Sequence, residues 1–127
     1  MRSLAIISLT ALTLLASAAG AQERSPAERQ TLIDLSYVLG ESHALRQACA
    51  GAEDQFWRQR MQRLVQAEQP DAAFDRRLKE SFNTGFVAGQ TAFSSCSPQS
   101  RQAEAKAAAR GRVLAASLTR GAAPARP

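Results

Sequence analysis

Thr31 to Cys49 reads TLIDLSYVLGESHALRQAC, and this stretch decides the fold. On a helix turning about 100° per residue, Leu32, Leu35, Val38, Leu39, Leu45 and Cys49 fall on one side. Asp34, Glu41 and Gln47 fall away from it, leaving the wide apolar stripe of a helix that packs against others. Upstream, Ser25-Pro26-Ala27-Glu28 places a serine at the N-cap, proline at the first helical position and glutamate three residues past the cap. The pattern predicts a helix from about Pro26 to about Cys49. Gly40 lies inside it at a cost of about 1 kcal/mol against alanine, which points to a close helix–helix contact or a local bend. Ser42, near the centre of the stripe, can bond to a backbone carbonyl. Arg46, at its edge, is expected to bury its stem and keep its charge in water.

The chain after this helix reads as further helices. Gly51 ends the first one. Glu53 and Asp54 then stand at the start of a second, with Trp57, Met61, Leu64 and Val65 on its apolar face and Arg58, Gln59, Gln62 and Arg63 facing away. Gln69-Pro70-Asp71 stops it, and Asp71 caps a third helix from about Ala72 to about Phe93. Phe74, Leu78, Phe82, Gly85, Phe86, Gly89 and Phe93 make its stripe, with four of the five phenylalanines of the chain. Gly85 and Gly89 inside that stripe predict close approach of another helix, with Gly40 as the facing position. Ser97-Pro98 repeats the serine-cap, proline-first signal. It opens an alanine-rich fourth helix to about Leu118, whose weak stripe of Ala103, Ala107, Leu114 and Leu118 predicts partial docking and partial fraying.

The runs LSYVLGESHALRQAC (35–49), DQFWRQRM (54–61) and FNTGF (82–86), followed by a second cysteine, resemble an uncharacterised family of small exported alphaproteobacterial proteins, a domain-of-unknown-function family. The resemblance spans roughly Thr31 to Cys96. It implies export and two well-separated, disulfide-bonded cysteines, matched here by Cys49 and Cys96, and it implies no reaction, ligand or partner. The residues themselves agree: two cysteines in an exported chain suggest one disulfide. Short connections give antiparallel neighbours, which brings both cysteines to one end of an up-down-up arrangement. The expected fold is all-α, an up-down helical bundle of three core helices plus a weaker fourth, held by one disulfide.

The N-terminus predicts export. Met1-Arg2-Ser3 is a short positive region, Leu4 to Leu15 an apolar core, and Ala19-Gly20-Ala21 an A-x-A cleavage site. This reading divides the chain into a signal peptide (1–21), a helical domain (22–119) and a disordered basic tail (120–127). It places the mature protein in the periplasm, with no transmembrane segment after cleavage. The apolar run is too short to span a bilayer comfortably. Ala27 to Ser100 carries nine acids and eight bases, whereas Arg101 to Pro127 carries six bases and one acid. The positive surplus therefore belongs to the C-terminal stretch. A nucleic-acid domain would instead carry its charge on a folded face with aromatic or groove-reading side chains, so nucleic acid is not an expected partner.

No catalytic constellation is visible. Glu41 and His43 are the obvious acid–base pair, but two positions apart on a helix they do not face each other. No GxSxG, HExxH or phosphate loop accompanies them. His43 reads as a boundary histidine with a polar partner. Well-separated cysteines exclude CxxC chemistry, and one histidine with two cysteines gives no zinc-ligand spacing, so no cofactor or metal is expected. Tyr37, Glu41, His43, Arg46 and Arg60 are candidates for a recognition surface, since aromatic residues and arginine dominate binding hot spots. Arg101, Lys106, Arg110 and Arg112 are candidates for contact with an anionic partner. The expected role is a non-enzymatic periplasmic interaction or cell-envelope-support protein, its partner an envelope protein or anionic envelope component. The alternatives are a small-molecule carrier, a haem carrier with His43 and Met61 as axial ligands, or a chaperone-like helical protein.

Overall fold

The structure is a computed structural model that describes residues 23–122; the expected signal peptide and residues 123–127 lie outside the described residues. Among the described residues there are four helices and no strands: α1 (Pro26–Ala50), α2 (Phe56–Glu68), α3 (Ala72–Ala92) and α4 (Pro98–Ala122). The all-α bundle read from the sequence is the fold observed. Helix α1 begins at a complete capping box. The Ser25 side chain accepts from the Glu28 N–H, and the Glu28 carboxylate accepts from the Ser25 N–H at 2.8 Å. The Asp71 carboxylate caps α3 by accepting from the Phe74 N–H at 2.8 Å. Ser97 caps α4, its hydroxyl accepting from the Ser100 N–H at 3.0 Å, and the Ser97 N–H donates in turn to the Ser100 hydroxyl at 2.9 Å. Helix α2 starts later than expected, at Phe56. Glu53 and Asp54 stay in the connecting loop, and the Asp54 carboxylate accepts from the Phe56 N–H. Gln69, in the left-handed conformation at φ 45°, ends α2.

Helix α1 is the hub. It packs against each of the other three helices, whereas α2, α3 and α4 share no comparable interface with one another. Its contact with α3 is set by glycines. A side chain at Gly40 would run into the Phe82 backbone, and one at Gly85 into the Tyr37 backbone. At Gly89 an added Cβ would lie 2.9 Å from both the Glu41 carbonyl oxygen and the Ala44 methyl. The two backbones therefore touch, and the Ser81 hydroxyl crosses the seam to donate to the Ile33 carbonyl at 2.7 Å. This is the close approach that Gly40, Gly85 and Gly89 predicted.

One core cluster gathers Leu32, Leu35 and Leu39 from α1, Met61 from α2, Phe74, Leu78 and Phe82 from α3, and Leu118 from α4. A second joins Val38 and Leu45 to Ala107 of α4. The two serines buried in α1 bond within the helix: the Ser36 hydroxyl donates to the Leu32 carbonyl and the Ser42 hydroxyl to the Val38 carbonyl, each at 2.8 Å. Helix α4 is continuous through Gly111 and runs to Ala122. The expected partial fraying is corrected. Ala107 and Leu118 are buried, and Gly111 lets α4 rest on Val38 and Leu35. Its stripe is weak because its residues are small, and small residues are what a close-packed helix needs.

Cys49 and Cys96 are disulfide-bonded, with their Cα atoms 4.6 Å apart. Cys49 sits at the exposed end of α1 and not in the buried stripe. At the other end of α1, the Arg24 guanidinium bonds both carboxylate oxygens of Glu68, at 2.9 and 2.8 Å, and reaches the Leu118 carbonyl at 3.3 Å. One side chain thus links the start of α1 to the ends of α2 and α4.

Phe82 is 7% exposed and packs at the α1–α3 seam. Phe82→Ala should lower stability by about 3–5 kcal/mol through lost transfer energy and the cavity left behind. Urea denaturation at fixed pH measures it.

Candidate functional site

Because α2 and α4 both pack mainly on α1, they leave a groove of about 660 Å³ between them. Leu35, Val38 and Leu39 of α1 form its floor with Leu64 of α2. The α2 wall carries Trp57 and Arg60, and the α4 wall carries Ala108, Gly111 and Ala115, three small side chains in a row. Ser42, Arg63 and Arg112 complete the lining, and no acidic residue takes part in it. Among the described residues, Arg60, Arg63 and Arg112 are not in an ion pair.

Arg60 is placed by its aromatic neighbours. Its guanidinium lies 3.7 Å from the Phe56 ring centroid and 5.4 Å from that of Trp57. The Phe56 and Trp57 rings meet edge to face at 5.1 Å. Cation–π contacts of this kind contribute roughly 0.5–1 kcal/mol each and fix the direction of the side chain. The Trp57 indole N–H is buried without a hydrogen-bond partner. Such a donor costs about 1–3 kcal/mol when left unpaired.

The residues singled out in the sequence are dispersed. Glu41 turns toward α4 and accepts from Arg110 at 2.7 Å. Arg46 pairs with Asp54 at 2.9 Å, its guanidinium over Phe56 at 4.4 Å. Tyr37 is half-buried, its carbonyl against Gly85. Only Arg60 of that group reaches the groove. The four basic candidates of α4 also divide. Arg110 is tied to Glu41, Arg112 lines the groove, Arg101 lies near the disulfide end and Lys106 is exposed. Sequence reasoning missed Arg63 as a groove residue. Its spacing of three from Arg60 on one helix was the available signal.

His43 is corrected from a boundary position to a buried one. It is 3% exposed, with its ring 5.7 Å from that of Phe82 and 5.3 Å from that of Phe86, and its Nδ1 has no hydrogen-bond partner. Burial lowers its pKa below the ordinary histidine value; nearby Arg58 pushes the same way and Asp54 opposes. Met61 lines a second groove, of about 610 Å³ between α2 and α3, and His43 is not part of that lining. Among the described residues, no three His, Cys, Asp or Glu side chains gather where they could hold a metal ion. No helix among them is long and apolar enough to cross a membrane.

Fold and site define a disulfide-linked four-helix protein with a basic, apolar-floored groove. The chain belongs to the family described as a protein of unknown function, DUF2385, whose model matches residues 26–121. No curated protein and no solved structure matches the chain.

The buried His43 gives stability a defined pH dependence. The unfolded chain takes up a proton near pH 6.5, the ordinary histidine value, whereas the native imidazole resists it. The contribution is therefore complete above pH 6.5 and is lost as pH falls toward the lowered native value. Melting temperature should decline from pH 7 to pH 5.5, and His43→Phe should flatten that part of the curve. Parallel curves for the two proteins would contradict it.

Proposed function

We propose that the protein is a non-catalytic binding protein of the cell envelope, working in the periplasm and holding an anionic partner against the α2–α4 groove. The secretory pattern of residues 1–21, with cleavage after Ala21, carries it there. A disulfide between Cys49 and Cys96 suits that oxidising compartment. The observation that carries the reading is the groove itself, where three arginines free of ion pairs border an apolar floor with no carboxylate among them.

Arginine is suited to this role, because its planar fork meets a carboxylate or phosphate with paired hydrogen bonds. The positive surplus of Arg101 to Pro127 adds a long-range attraction for an anionic surface. A non-catalytic role is supported by the placement of the two obvious acid–base groups. His43 is enclosed by phenylalanines on the α3 side, and Glu41 is held by Arg110 on the α4 side.

Co-sedimentation with isolated cell envelopes tests the reading. Retention should fall as added salt shortens the screening length from about 10 Å to about 3 Å. The variant Arg60→Gln/Arg63→Gln/Arg112→Gln should retain about tenfold less at low salt, which corresponds to about 1.4 kcal/mol. Retention unchanged by both salt and substitution would overturn the proposal.

A further inference from the structure

We propose that the occupant of the α2–α4 groove is a single long-chain carboxylate, a fatty-acid-like amphiphile with its chain on the leucine floor and its head group on the arginine rim. This inference rests on the reading of the groove as the binding site and adds the class of ligand.

Size is the first argument. The groove holds about 660 Å³, inside the roughly 300–1,000 Å³ typical of small-molecule sites. A ten-residue helix from a partner protein, about 15 Å long and about 10 Å across, occupies roughly 1,200 Å³ and would stand largely outside it. An acyl chain is slimmer and asks for no hydrogen bonds along its length.

Shape and chemistry agree with that occupant. On the α4 wall, Ala108, Gly111 and Ala115 leave a track without bulky side chains. An added Cβ at Gly111 would sit at ordinary contact distance, 3.5 Å from Val38, so the wall is smooth without being closed by backbone. Leu35 and Leu39, 6% and 7% exposed, close the bottom of the groove, and the half-buried Leu64 and Trp57 offer the apolar surface above them. The head group meets the opposite requirement. Arg63 on α2 and Arg112 on α4 stand on the two walls with no carboxylate in the lining, so an anion entering between them is attracted from both sides. A neutral amphiphile would leave the arginines unused, and a short anion would leave the floor uncovered. A long-chain carboxylate satisfies both.

Trp57 is the only tryptophan in the chain, so its fluorescence reports on this groove directly. The protein is titrated with tetradecanoate below its micellar concentration, and in parallel with tetradecanol and with butyrate. The expected result is a saturable one-to-one change with tetradecanoate, at least tenfold weaker binding of tetradecanol, and no response to butyrate. Arg63→Gln/Arg112→Gln should weaken tetradecanoate binding at least tenfold, and Gly111→Leu, which fills the track, should abolish it. The Arg63/Arg112 change alters exposed side chains and keeps the test valid should Gly111→Leu fail to fold. Equal binding of acid and alcohol would overturn the inference, as would the absence of saturable tetradecanoate binding. Binding of an acidic amphipathic peptide in place of tetradecanoate, with the same arginine dependence, would make the groove a protein-docking site and overturn it too. If tetradecanoate fails while arginine-dependent retention on envelopes persists, the ligand class is wrong and the proposed function stands. If both fail, the function falls with it.

Discussion

The rest of the structure depends on the backbone contact between α1 and α3. Gly40 lies against the Phe82 carbonyl, Gly85 against the Tyr37 carbonyl and Gly89 against Glu41. Each glycine sacrifices about 1 kcal/mol of helix propensity relative to alanine. The return is that two long helices approach backbone to backbone at Gly40 and Gly85. Phe82 and Leu78 can then reach the leucines of α1, while Phe86 closes over His43. A Cβ at either Gly40 or Gly85 would hold the helices apart and loosen every contact that the seam brings together.

A hub helix also explains the groove. With α3 pressed against one side of α1, α2 and α4 take the remaining sides and share no comparable interface with each other. The strip between them is floored by Leu35, Val38 and Leu39 of α1, which lie nearly buried at its bottom. The bundle resists splaying at both ends. Cys49–Cys96 closes one, and the model of disulfides as constraints on the unfolded chain gives about 4 kcal/mol for a loop of this length. Arg24, bridging Glu68 and the end of α4, closes the other. Against a typical net stability of about 5–15 kcal/mol, the disulfide is a large share.

Much of this architecture was legible in the sequence, because the signals were local. The capping box at Ser25, the Asp71 cap and the Ser97-Pro98 start each act within one turn, and all three mark real helix starts. The three glycines were readable because glycine inside an apolar stripe has few other uses. What failed was the assumption that a helix has one buried side. Helix α1 is covered by three neighbours, so His43, Ser36 and Ser42 are buried although a single stripe would leave some of them at its edge. The groove was not legible at all. Arg60, Arg63 and Arg112 converge only because α2 and α4 stand on opposite flanks of α1, and no local pattern records that distance. Fraying of α4 was expected from its weak stripe, yet Ala107 and Leu118 are buried and hold the helix on the bundle.

The central claim is that Gly40 and Gly85 hold two backbones in contact. Gly40→Ala and Gly85→Ala, each measured by urea denaturation against the native sequence, test it most directly. The account predicts that each methyl group lowers stability by about 2 kcal/mol or more, at the upper part of the usual overpacking range. A gain of about 1 kcal/mol, the propensity advantage of alanine in an uncrowded helix, would show that the helices are not in contact there and would contradict it.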